Sequence, residues 1–186
     1  MTNKKQSDNR AQFSLSKVKV LKDKVVVDYH MDRTIGSEFF RDTLKYESSR
    51  FPHPDLKTPL MTLKPMMAHI FRLDTAKNVA SITDKAQRES AIEAVTDNMN
   101  SLEITGIGLS GSNDNRAVVI TAMLRSPSGM TMAINSHLIR LGIETPAYPF
   151  VEELNEIAKK LEEESYLYVF ESKMAQQTIA FEDETK

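Results

Sequence analysis

A chain of 186 residues that is 40% apolar is long enough to build one self-sufficient hydrophobic core. It contains no cysteine, which excludes disulfide frameworks, thiolate metal sites and cysteine nucleophiles. The formal net charge of −2 is unevenly spread: residues 1–57 hold twelve basic against eight acidic residues, 58–143 eight against seven, and 144–186 four against eleven. Solvated helices are often decorated in this way, and so is a polyanion-binding surface beside an acidic partner face.

The start, MTNKKQSDNRAQ, is polar, so residues 1–12 are expected to be disordered. It has no apolar run behind its lysines, and no later segment approaches the roughly 18 uninterrupted apolar residues of a membrane span. The expectation is a cytoplasmic protein without a membrane anchor, with a single α+β domain over 13–172 and a flexible tail over 173–186. Within FSLSKVKVLKDKVVVDYHM, Val18 and Val20 alternate with polar neighbours and Val25, Val27 and Tyr29 share one parity. This predicts a β-hairpin turning at Leu21–Lys24. Over 32–46, Phe39, Phe40 and Leu44 have helical spacing and suggest a short helix or an irregular connection. RFPHPD, residues 50–55, is expected to be extended, because proline disfavours the helical region for its predecessor.

Asp55 and Thr58 are candidate N-caps for a helix over much of 56–72, carrying Leu60, Leu63, Met66, Met67 and Ile70. Pro65 predicts a kink, or a stop followed by a strand over 67–73. Residues 74–101 are polar, and Thr83 is a candidate cap for a solvent-facing helix with Ala86, Ile92, Val95 and Met99. Next, LEITGIGLSGSNDNRAVVITAMLRSPSGMTMAINSHLIRL, residues 102–141, reads as a three-stranded antiparallel meander with turns at Gly111–Asn115 and Ser126–Gly129. Leu102 and Ile104 have one parity and Ile107 and Leu109 the other, which predicts a bulge near Gly106. A helix over 150–172 presents Phe150, Leu154, Ile157, Ala158, Leu161, Ser165, Tyr168 and Val169 as one stripe to pack on the meander. The predicted fold is therefore α+β: an N-terminal β-hairpin, a helical middle, and a three-stranded antiparallel meander covered by a long C-terminal helix.

Chemistry is sparse in this pattern. His30, His53, His69 and His137 are scattered without a metal-ligand spacing, and no cofactor is expected. GIGLSG at 106–111 matches GxGxxG by letter, but a turn and a strand follow where a dinucleotide fingerprint needs a helix. A polar cluster of Asn135, Ser136, His137 and Arg140 offers an enzyme site near the 135–140 strand as one alternative. For nucleic acid, Lys17, Lys19, Lys22 and Lys24 make a basic N-terminal hairpin with aromatics nearby, suited to single-stranded DNA. In the tail, Gln176, Ile179 and Phe181 fit the pattern Q-x-x-[LI]-x-F. That pattern resembles the peptide that bacterial replication proteins insert into the sliding clamp, although Ala180 stands where a leucine before the phenylalanine is preferred.

The chain as a whole resembles a family of small uncharacterised phage and prophage proteins, over roughly residues 50–181. The features that carry the resemblance are His53-Pro54-Asp55-Leu56 with Leu63-Lys64-Pro65, Ile104-Thr105-Gly106-Ile107 with Ser110-Gly111, Asn135, and Ile139-Arg140-Leu141. Tyr148-x-Phe150-x-Glu152-Glu153-Leu154 and Tyr166-x-Tyr168-x-Phe170-Glu171 follow, and residues 75–101 are longer than in the family pattern. The resemblance implies a place among phage DNA replication and recombination functions; with no catalytic constellation in the residues, the expectation is a non-enzymatic accessory protein binding DNA or a replication partner. The alternative is a protein–protein adaptor that docks a sliding clamp through its tail.

Overall fold

In a computed structural model the described residues are 12–49, 51–73, 82–111, 115–126, 128–142 and 148–171. The fold is α+β, built on one antiparallel sheet of seven strands. These are β1 (Phe13–Val20), β2 (Val25–Ile35), β3 (Glu38–Ser48), β4 (Leu102–Ser110), β5 (Ala117–Arg125), β6 (Thr131–Asn135) and β7 (Ile139–Arg140). Their order is β3-β2-β1-β4-β5-β6, with β7 also paired to β5. Among the described residues four helices accompany them: α1 (Pro54–Thr62), α2 (Lys64–Ile70), α3 (Lys85–Asn100) and α4 (Val151–Phe170). The sheet is two meanders, β1-β2-β3 and β4-β5-β6, joined where β1 pairs with β4 at Lys17↔Gly108, Val18↔Ile107 and Lys19↔Gly106.

The predicted hairpin is present, with Leu21 N–H bonded to Lys24 C=O across its four-residue loop. Its second strand runs on to Ile35 and turns back at once, so the helix or irregular connection expected over 32–46 is instead strand β3. Gly36 sits at φ 66°. A two-residue Gly-Ser turn of this kind matches the twist of the flanking strands. The ladder then runs unbroken from Val25↔Ser48 to Ile35↔Glu38. Eleven paired positions outweigh the helical spacing of three apolar side chains.

The parity switch in β4 is a bulge, as expected: Ile104 faces Ala122, Gly106 faces Thr121, and Thr105 is the extra residue. Glycine is required at 106, because a Cβ there would lie 2.1 Å from Val18 O. The last strand of the second meander does not run unbroken to Leu141. It pairs as β6 with Thr121–Arg125, leaves the ladder at Ser136–Leu138, and resumes as β7 opposite Ala117–Val118. At the break Ser136 N–H donates to Ile120 C=O, while the Ser136 hydroxyl accepts from Ile120 N–H at 2.9 Å and donates to His137 C=O at 2.8 Å.

The helices also differ from expectation at their ends. The first begins at Pro54, and the cap is His53, whose Nδ1 accepts from Asp55 N–H at 3.2 Å, instead of Asp55 or Thr58. Pro65 takes a first-turn position of a new helix, α2, so the predicted stop occurs at Leu63 and no strand follows. Asp84, not Thr83, caps α3, its carboxylate accepting from Gln87 N–H at 2.9 Å.

The stripe predicted on the last helix is the one that packs: Leu154, Ala158, Leu161, Ser165 and Tyr168 are all buried on α4. They join Val18, Val25, Val27, Leu56, Leu60, Met67, Ile107 and Ile120 in one core between the sheet's inner face and α1, α2 and α4. Glu162 pins α4 to the sheet, accepting from Leu15 N–H at 3.0 Å and from Arg116 Nη2 at 2.7 Å.

Candidate binding groove

The bulge has a consequence beyond parity. Pairing between β1 and β4 ends at Lys19↔Gly106, so Val20 on one strand and Leu102–Ile104 on the other have no mutual ladder. The gap between them is roofed by α1 and the start of α2. The result is a groove of 320 Å³ with a floor of Val20, Leu60, Leu102 and Ile104 and a rim carrying Lys22, Lys57 and Lys64. Leu60 and Leu102 are fully buried, whereas Met61 at the lip is 64% exposed.

Charge separates this groove from its surroundings. Three lysines face one carboxylate, Glu103, along the lining. Among the described residues Lys22, Lys57 and Lys64 have no ion-pair partner. Lys57, Met61 and Lys64 recur at helical spacing, so α1 and the turn into α2 present two cations and an exposed thioether on one side.

The four lysines singled out by sequence are not one patch. Lys17 and Lys19 lie on the opposite face of the sheet, half-buried, alternating with the buried Val18 and Val20. Lys17 stands directly opposite Asp28 in the ladder. Lys24 is paired with Glu47. Lys22 alone reaches the groove, where Lys57 and Lys64 join it. Those two were not in the sequence-derived set; their signal was the spacing with Met61.

A second cleft of 350 Å³ opens where the first half of β1 leaves β4. It is lined by Ser14, Ser16, His30, Arg41, Ser110, Arg116 and Glu162 among others. Its charges are spent internally. Arg41 makes two 2.7 Å bonds to Asp32, and Arg116 is bonded to Glu162. The Arg41 hydrogen bond holds the Asp32 carboxyl below its ordinary range. With both guanidinium groups already neutralised, this cleft has little left to offer a charged ligand.

The histidines have local roles. His30 meets Thr43 at 3.1 Å on the outer face, His53 caps α1, and His69 packs edge-on to Phe150 at 5.4 Å. In the 135–140 cluster Asn135, His137 and Arg140 are exposed, and the one buried hydroxyl, that of Ser136, belongs to the ladder. These side chains therefore do not converge on a shared buried site. Two phenols, Tyr148 and Tyr168, are buried with no hydrogen-bond partner among the described residues, and burial pushes the Tyr148 phenol well above its ordinary value, with Glu153 adding to the rise. Gln176, Ile179 and Phe181 lie outside the described residues. Among the described residues, no helix is long and apolar enough to cross a membrane.

No family model, curated protein or solved structure matches the chain.

Proposed function

We propose that the protein is a non-enzymatic adaptor whose groove takes a short segment of a partner protein, one with an apolar anchor beside a run of carboxylates. The observation that carries this reading is the set of three lysines, unpaired among the described residues, around an aliphatic floor. Burying one large apolar side chain on such a floor contributes about 1.5–3 kcal/mol. The lysines add selectivity and a faster, salt-sensitive encounter more than affinity. Single-stranded DNA is held by a basic groove that tracks its phosphates together with aromatic rings on which its bases stack. Among the described residues no aromatic ring lines this groove, and Lys17 and Lys19 project from the other face. The accessory role implied by the resemblance is thus kept, with a replication protein in place of DNA as the partner.

The test is fluorescence anisotropy of a fluorescein-labelled LFDEDE peptide titrated with the full chain at about 50 mM salt, where surface electrostatics are least screened. Binding that is lost in the triple variant Lys22→Glu/Lys57→Glu/Lys64→Glu and retained in Lys17→Glu/Lys19→Glu is the expected result. The opposite pattern refutes the groove. A labelled oligothymidine that binds through the same three lysines, with the peptide inert, moves the function to nucleic acid.

A further inference from the structure

The chemistry that suits the groove is also written in this chain. Residues 178–184 read TIAFEDE: Ile179 and Phe181 are apolar and separated by one residue, and Glu182, Asp183 and Glu184 follow directly. They fall in the part of the sequence where eleven acidic residues face four basic ones. We infer that this segment docks in the groove of its own chain, Ile179 or Phe181 on the aliphatic floor and the three carboxylates against Lys22, Lys57 and Lys64. It would then compete with the partner segment. The inference rests on the groove being a site for acidic, apolar-anchored peptides.

The point from which the segment departs is close enough. Helix α4 ends at Phe170, and near that end the Tyr168 ring meets Tyr46 edge-on at 5.9 Å. Tyr46 pairs with Val27, Val27 with Val18, and the groove residue Val20 is two positions further along β1. Two strand spacings and two residues of rise amount to about 12 Å across the sheet, and the path from Tyr29, which Phe170 itself meets at 5.8 Å and which pairs with Leu15 five positions before Val20, to about 17 Å. From Ser172 to Ile179 there are eight residues, and eight extended residues reach at most about 26–29 Å. The anchor can therefore arrive with slack to spare, and a short tether of this kind holds its end at an effective concentration in the millimolar range.

The other apolar surface near the end of α4 offers no such match. On the β2–β3 tip Ile35, Phe39, Phe40 and Leu44 are exposed. The charges among them are already paired, Arg33 with Asp42 and Arg41 with Asp32. Among the described residues an acidic segment would find no free cation there.

Because the chain has no cysteine, the docking can be trapped in the full-length protein. Met61→Cys/Ala180→Cys is treated with a short bismaleimide, and the products are sized and mapped by mass spectrometry. The expected product is a cross-link within one chain that excess LFDEDE peptide suppresses and that Phe181→Ala or Lys57→Glu/Lys64→Glu diminishes. In parallel, Phe181→Ala alone should bind LFDEDE about tenfold tighter, because the site is no longer occupied most of the time. If Phe181→Ala leaves peptide affinity unchanged and the intrachain cross-link is absent, self-docking is overturned while the groove reading stands. A cross-link that joins two chains overturns it as well, in favour of exchange between copies. If the peptide binds neither the parent chain nor Phe181→Ala, the groove reading falls, and the inference with it.

Discussion

The β2–β3 and β4–β5 ribbons are both long antiparallel pairs of β-prone residues, and they differ in what lies over them. Along β4–β5, Leu102, Ile107, Val118 and Ile120 have essentially no exposed surface, because helices and neighbouring strands enclose them. Along β2–β3 the inner-face series Val25, Val27, Tyr29 and Met31 is buried, yet two residues further on Arg33 is exposed and Ile35 is 64% exposed. The change occurs just past the end of α4, where Phe170 meets Tyr29 at 5.8 Å and Phe13 and Tyr166 complete an aromatic cluster. Beyond it the ribbon is held by its ladder and by ion pairs that water screens, Asp32 with Arg41 and Arg33 with Asp42, while Glu47 with Lys24 and Lys45 ties the covered end. Strand pairing alone therefore makes a long ribbon, and helix cover makes it a core. A charged, twisted free edge is also how a sheet of this kind avoids pairing with other chains.

Replacing one residue in each ribbon measures that difference. Ile107→Ala in β4 should cost about 2–5 kcal/mol, since it leaves a cavity in a fully packed site. Phe40→Ser at the tip should lie within about 0.5 kcal/mol of the parent, as exposed substitutions do. Urea unfolding of both variants is the measurement, and equal losses would mean that the tip is buried in solution by a contact absent from this fold.

A smaller effect is expected from Ser136→Ala, at the place where the covered meander breaks its own ladder. Removing the hydroxyl strands the Ile120 N–H in the core, which costs about 1–3 kcal/mol. A glycine or threonine control separates the hydroxyl from the backbone: threonine should keep most of the stability, and glycine none of it. Tyr168→Phe goes the other way. Its hydroxyl is buried without a partner among the described residues, so its loss should leave stability unchanged or raise it by about 1 kcal/mol. A destabilised Tyr168→Phe chain would instead reveal a partner for that phenol, with the midpoint of a thermal melt as the readout.

The covered region was much more legible in sequence than the uncovered one, for a physical reason. Burial writes periodicity, so the parity switch at Thr105–Gly106 and the stripe from Leu154 to Tyr168 both announced themselves. At the β2–β3 tip, solvent on both faces allows Phe39, Phe40 and Leu44 to fall at helical spacing by chance. The competing signal was only the pair Gly36-Ser37, and it was the one that mattered. Missing β3 also hid the pairing of Lys24 with Glu47, which removes one lysine from the expected basic patch. The groove was half legible. Lys22 stood in the predicted hairpin loop, but Lys57 and Lys64 join it only because the β4 bulge opens a gap that two distant helices roof. The Ser136 break gave no sign, since a hydroxyl that replaces a backbone acceptor has no pattern in a sequence.

The smallest expected effect tests the same contrast by pH. Asp32 is held below its ordinary value of 3.8 first by the Arg41 hydrogen bond, and Glu47 below 4.5 first by hydrogen bonds from Lys24 and then Lys45. A carboxyl whose folded value is depressed contributes stability that is complete above its ordinary value and lost as pH falls through the folded one. Between pH 7 and about 5 neither ribbon should change, since both carboxyls stay ionised whether folded or unfolded. As pH falls below 4 the Asp32–Arg41 tie of the β2–β3 tip is lost through protonation of Asp32, while Leu102, Ile107, Val118 and Ile120 have nothing there to titrate. Amide resonances of Arg33, Thr34, Phe39 and Phe40 should therefore broaden or shift at a higher pH than those of Val118–Ile120, and Asp32→Asn should remove part of that response. Simultaneous loss in both ribbons would mean that the tip shares the stability of the core, because a ribbon held by screened ion pairs must loosen before one held by burial.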